Sequence, residues 1–180
     1  VLGESALDAS VSGGNNTAIG KEALTALTSG DKNTAVGKGA LQANTTAGEN
    51  TSVGYNSMYA NTTGTNNVAF GKDALSANTT ANNNTGIGYF ALKANTTGTE
   101  NTAVGAESLK DNTTANNNTA VGREALADNT SGANNTGIGY FCLDANTTGS
   151  GNTGVGRLCL SANTTADNNT AVGLYIYTLC

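Results

Sequence analysis

The residues that could do chemistry are few in this chain, and their spacing says more than their types. There is no histidine, which excludes a His-dependent triad or dyad and a histidine zinc site. Asp and Glu are scattered, with no fixed pair placed to face a pocket as two glycosidase carboxylates do. Asp167, beside Asn168 and Asn169, lacks the D-x-[DN]-x-[DN]-G pattern of a calcium loop. Gly86-Ile87-Gly88 reads as a repeat corner and not as a dinucleotide fingerprint, since no helix follows. The three cysteines show no C-x-x-C metal spacing. Cys142 and Cys159 lie one repeat apart, and Cys180 falls in a different column. The expected role of the first two is as small buried thiols where other repeats carry Ala or Ser; a disulfide between stacked neighbours or between chains is the alternative. No catalytic, cofactor or metal residue is expected, and an enzyme is not.

Two sets of residues could carry binding. Aromatic side chains follow the repeat glycine at Tyr55, Tyr89, Phe90, Tyr140, Phe141 and Tyr175. They suit either a platform for a sugar or receptor or lateral packing between chains, and packing is the expected role. Threonine pairs such as Thr45-Thr46, Thr62-Thr63 and Thr79-Thr80 resemble the hydroxyl arrays of ice-binding solenoids, but one side chain of each pair must point off the face. N-x-[ST] sequons such as Asn44-Thr45-Thr46 formally allow N-glycosylation, although a glycan on every coil would crowd its neighbours.

What positions these residues is a strict repeat. Glycine recurs at Gly3, Gly20, Gly37, Gly54, Gly71, Gly88, Gly105, Gly122, Gly139, Gly156 and Gly173, always at a step of 17 residues. A fixed period of this kind marks a stacked architecture in which one unit cannot bury its apolar face alone. Only 5% of the chain is aromatic and 12% charged, so a compact core of large side chains is out of reach. The strict count argues against disorder. The net charge of −5 offers no basic patch for nucleic acid, and no apolar run approaches the roughly 20 residues of a membrane span.

Asn33-Thr34-Ala35-Val36-Gly37 carries β-branched residues at alternate positions, a period-2 signal for a short strand, with Thr and Val expected to face the interior. A Leu column follows four residues after the glycine, and the Asn-Thr-Thr-Gly beyond it leaves no room for a helix. Seventeen residues could hold two short strands and two bends. The expected fold is all-β, a parallel β-solenoid or β-roll of about ten 17-residue coils over residues 1–173. Asparagine columns at Asn33, Asn50, Asn67 and at Asn44, Asn61, Asn78 would form axial ladders and take left-handed corners. Glycine would turn a bend that excludes Cβ. The small strand face (Ala18, Ala35, Ala69, Ala103, Ala120 and Ala171, with Ser or Gly in other coils) is the expected inter-chain face. Two large apolar residues per coil, at about 1.5–3 kcal/mol each, are thin cover for ordering 17 residues, so self-association is expected. Residues 174–180 break the pattern with bulkier side chains and read as a terminus or docking segment. The chain starts and stops within a repeat and reads as a segment of something longer, with room upstream for a targeting signal.

The unit Asn33-Thr34-Ala35-Val36-Gly37-Lys38-Gly39-Ala40-Leu41 resembles the S-V-A-I-G-x-x-A repeats of trimeric autotransporter adhesin heads, most closely at Asn67-Val68-Ala69-Phe70-Gly71. The longer pattern N-T-A-V-G-x-x-A-L-x-x-N-T-T-G is similar to repeats of phage and viral tail-fibre proteins. The adhesin coil is shorter and lacks the added Asn-Thr-Thr segment. The resemblance implies a left-handed winding, a homotrimer, and an extracellular location on a cell surface or virion fibre. Its implied function is a non-enzymatic spacer or attachment segment, with a cell-surface glycan or receptor as partner. A self-assembling surface filament and an ice-binding solenoid are the alternatives.

Overall fold

The computed structural model describes residues 2–177; Val1 and residues 178–180, including Cys180, lie outside the described residues. Ten three-residue strands run β1 (Thr17–Ile19), β2 (Thr34–Val36), β3 (Thr51–Val53), β4 (Val68–Phe70), β5 (Thr85–Ile87), β6 (Thr102–Val104), β7 (Thr119–Val121), β8 (Thr136–Ile138), β9 (Thr153–Val155) and β10 (Thr170–Val172). They form one parallel sheet in chain order. The register advances one repeat at each step, as in Thr102↔Thr119, Ala103↔Ala120 and Val104↔Val121. The chain is an all-β solenoid with no helix among the described residues. Each coil holds one strand, not the two that 17 residues could accommodate, and turns make up the rest.

The strand faces are the reverse of the sequence expectation. In every strand the middle residue is buried and its two neighbours are partly or fully exposed. Ala18, Ala35, Ala69, Ala103 and Ala120 have no exposed surface and Ala171 only 5%, so this column is the inside of the coil and not an inter-chain face. The Thr and Val columns point outward. The cause is the narrow cross-section: the inward strand residue shares the interior with the Leu column and a second column of small residues, which leaves space for no more than Ala, Ser or Gly.

The second small column lies five residues after the first. The Ser52 hydroxyl bonds the Ser57 hydroxyl across this interior. Where the second column enlarges to Cys142 and Cys159, the first shrinks to Gly137 and Gly154. A Cβ on Gly154 would come within 2.7 Å of the Cys142 sulfur. At the two cysteine coils the larger thiol is accommodated by loss of the facing methyl group.

The turns need unusual backbone. The glycine column has φ between +124° and +152°, and a Cβ on Gly88 would lie 2.3 Å from the Gly105 carbonyl oxygen, so the expected bend is confirmed. The left-handed corners fall elsewhere than expected. Leu24, Leu41, Leu75, Leu92, Leu109 and Leu126 sit at φ near +50°, a conformation uncommon for leucine, while the ladder asparagines do not. These leucines are fully buried, and their burial offsets the strain.

Asparagine supplies the internal polar frame. The Oδ1 of Asn84 accepts from the backbone N–H of Asn101 at 3.0 Å, and Asn101 does the same for Asn118. In the second ladder each side-chain amide donates to the Oδ1 of the preceding coil, as from Asn112 to Asn95 at 2.9 Å. Both ladders also donate to the same carbonyl: Asn101 and Asn112 reach the Ala115 oxygen at 2.8 and 3.1 Å. These side chains are fully buried and hydrogen-bonded.

Asn101→Ala is expected to orphan the Asn118 N–H and to halve the donors on the Ala115 oxygen. At about 1–3 kcal/mol per unsatisfied buried group, the urea midpoint of the variant should fall clearly below that of Thr102→Ser, a change on the outer face.

Candidate functional site

The predicted aromatics lie on the edge that leaves the strand through the glycine bend. Tyr55, Tyr89, Tyr140 and Tyr175 are 40–45% exposed. Tyr89 and Phe90 stack with ring centroids 3.9 Å apart, and Tyr140 meets Phe141 edge-on at 4.4 Å. The structure also gathers cations there, which the sequence expectations for this edge do not include. Lys38 lies 5.8 Å from the Tyr55 ring, and Lys72 lies 5.4 and 5.5 Å from Tyr89 and Phe90. Lys93 stands 4.1 Å over Phe90. Arg157 lies between Tyr140 at 5.7 Å and Tyr175 at 5.2 Å. Each of these separations falls within cation–π range.

The signal was present in the sequence. The position directly after the glycine reads Glu4, Lys21, Lys38, Tyr55, Lys72, Tyr89, Ala106, Arg123, Tyr140, Arg157, Leu174. Parallel stacking puts successive members about 4.8 Å apart, where adjacent cations would repel. Tyr55 separates Lys38 from Lys72 and Tyr140 separates Arg123 from Arg157, each supplying an attractive face, while Lys21 and Lys38 are direct neighbours and Lys21 pairs with Glu4.

The threonine pairs divide as the sequence expects. Thr62, Thr79 and Thr96 each donate a hydroxyl to the carbonyl of the equivalent threonine one coil on, at 3.0–3.1 Å, while Thr63, Thr80 and Thr97 are exposed. The first column is committed to the backbone, which weighs against a double hydroxyl array. The sequon asparagines Asn44, Asn61 and Asn78 are buried, and each donates its amide to a main-chain oxygen. That nitrogen is unavailable to a glycan in the folded coil.

A shallow groove beside Thr46, Gly48 and Thr65 is crossed by the Lys32–Glu49 ion pair at 2.9 Å. Among the described residues, no three His, Cys, Asp or Glu side chains come together as a metal cluster would require. Asp144 keeps one buried carboxylate oxygen without a partner, and burial raises its pKa.

Cys142 and Cys159 are buried free thiols. Burial, followed by the neighbouring Cys159, pushes the Cys142 thiol up to about 12. The folded state therefore holds the proton more tightly than the unfolded chain. The stability this contributes is complete below the ordinary thiol value near 9.0 and is lost as pH rises from there towards 12. Urea unfolding should show wild type losing stability between pH 8 and 10.5 relative to Cys142→Ala. A thiol reagent at pH 8 should label Cys142 slowly until urea is added.

No family of known proteins matches this chain, nor does any curated protein or solved structure.

Proposed function

We propose that this chain is a structural rod, a non-enzymatic segment of an extracellular fibre or adhesin that associates with copies of itself through the outer face of its single sheet. The observation that carries the reading is the column Ile19, Val36, Val53, Phe70, Ile87, Val104, Val121, Ile138, Val155 and Val172. It runs along the rod with no charged member, and Phe70 is 56% and Ile138 40% exposed. Aligned apolar side chains on the one sheet among the described residues make a contiguous patch of the kind that marks an interaction surface. The other outward strand position is threonine in every coil but one, where Val68 adds to the apolar surface. A second copy of the same rod offers the same coil spacing, so equivalent columns can interdigitate along their length. Three-fold assembly, left-handed winding and the extracellular setting follow from the adhesin-head resemblance. A longer self-assembling filament would use the same face.

Sedimentation equilibrium tests this directly. Wild type should be oligomeric, and Ile87→Lys with Val104→Lys should give a monomer that keeps its β circular dichroism. Ala103→Leu should behave differently, lowering the stability of the chain itself because its side chain enters the filled interior. A wild-type monomer at high concentration would rule the assembly out.

A further inference from the structure

The edge after the glycine bend is chemically distinct from the apolar sheet face. Five of the eight cations of the chain stand in its single column: Lys21, Lys38, Lys72, Arg123 and Arg157. The net charge of −5 makes that concentration more telling. Acidic neighbours are present: Glu4 pairs with Lys21 and is the more exposed of the two, 73% against 45%, whereas the acids beside Lys72 and Arg123 lie beneath their cations. Asp73 and Glu124 side chains are 18% and 16% exposed, against 52% for Lys72 and 57% for Arg123, and each pair is in ion contact. At Lys72 and Arg123 the carboxylates therefore orient the cations, and the cations and tyrosine rings form the outer surface of this part of the edge.

Lys38 and Lys72 are two coils apart, as are Arg123 and Arg157, and a tyrosine stands between the members of each pair. At about 4.8 Å per coil the cations of each pair stand about 10 Å apart with one ring between them, and Tyr89 and Ala106 span the three coils from Lys72 to Arg123. A periodic linear site fits a periodic linear ligand. The charge density is far below that of nucleic acid, which carries a phosphate about every 3.4 Å of each strand. It suits a chain of sugars with an acidic group on every second unit.

We propose that this edge binds an extended anionic polysaccharide laid along the rod axis, with sugar rings on Tyr89 and Tyr140 and carboxylates or sulfates on Lys72, Arg123 and Arg157. The inference names a ligand class for the attachment role proposed above and rests on that reading. Tyrosine supplies a flat apolar face with a polar tip, and the cations supply charge-assisted hydrogen bonds.

The test is retention of the assembled protein on immobilised hyaluronan, which has one carboxylate per disaccharide, with neutral dextran and single-stranded oligothymidylate as comparison surfaces. Wild type should bind hyaluronan and lose binding as salt rises. Tyr89→Ala with Tyr140→Ala, and separately Arg123→Gln with Arg157→Gln, should each weaken binding at least tenfold with circular dichroism and sedimentation unchanged. Absence of retention, equal retention on dextran or oligothymidylate, or indifference to both double variants overturns the inference. If hyaluronan is not bound and the tyrosine variant changes the sedimentation, the edge is a lateral contact between rods; the ligand inference falls and the rod reading stands. A monomer that binds hyaluronan through these residues gives the converse result.

Discussion

One main-chain oxygen per coil sets the terms for the whole structure. At Ala47, Gly64, Ala81, Gly98, Ala115, Gly132, Gly149 and Ala166 the carbonyl accepts two asparagine amides, one from 14 residues earlier and one from 3. The Oδ1 of the first asparagine then reaches the backbone N–H 17 residues on. These three spans make the repeat length a hydrogen-bonding requirement. An inserted residue would leave several buried polar groups unpaired in one coil, each costing about 1–3 kcal/mol. The uninterrupted count in the sequence is the trace of that requirement.

The same frame explains how so thin a core can suffice. Leucine at a left-handed corner places a large side chain under the strand, and the remaining interior accepts only small residues. Ser52 bonds Ser57 within one coil, and Gly154 makes room for the Cys142 sulfur of the preceding coil. Stability is shared between a narrow apolar strip and a polar ladder in which each member supports the next, as expected of a quasi-one-dimensional array.

Periodicity, glycine bends, asparagine ladders and solenoid class were all legible in the sequence, because each depends on one residue type recurring in register. The strand orientation was not. Thr-Ala-Val alternates equally well in either direction, and hydrophobicity alone puts Val inside. What decides is the width of the coil, a property of the turns. A clue did exist in the first small column, which shrinks to Gly137 and Gly154 where the second enlarges to Cys142 and Cys159, as expected if both columns face inward. The cation–aromatic edge was also readable, but only down the column: along the chain Lys72 or Arg123 looks like an ordinary surface charge, and stacking turns them into neighbours of Tyr89 and Tyr140.

This division separates the fold from whatever the rod contacts. The inward columns vary only among small residues or, at the Leu column, to Met58, since each side chain is bounded by its equivalents above and below. The outward columns are bounded only along the axis, so they can change one coil at a time without loss of register. Phe70 among the valines and isoleucines, or Ala106 among the cations and tyrosines, shows that freedom. Surface chemistry on such a rod is written as a line, with a pitch near that of one coil and a composition independent of the interior. Specificity for a partner then depends on matching a periodic pattern over many weak contacts, and the rigid axial ladder keeps that pattern in step.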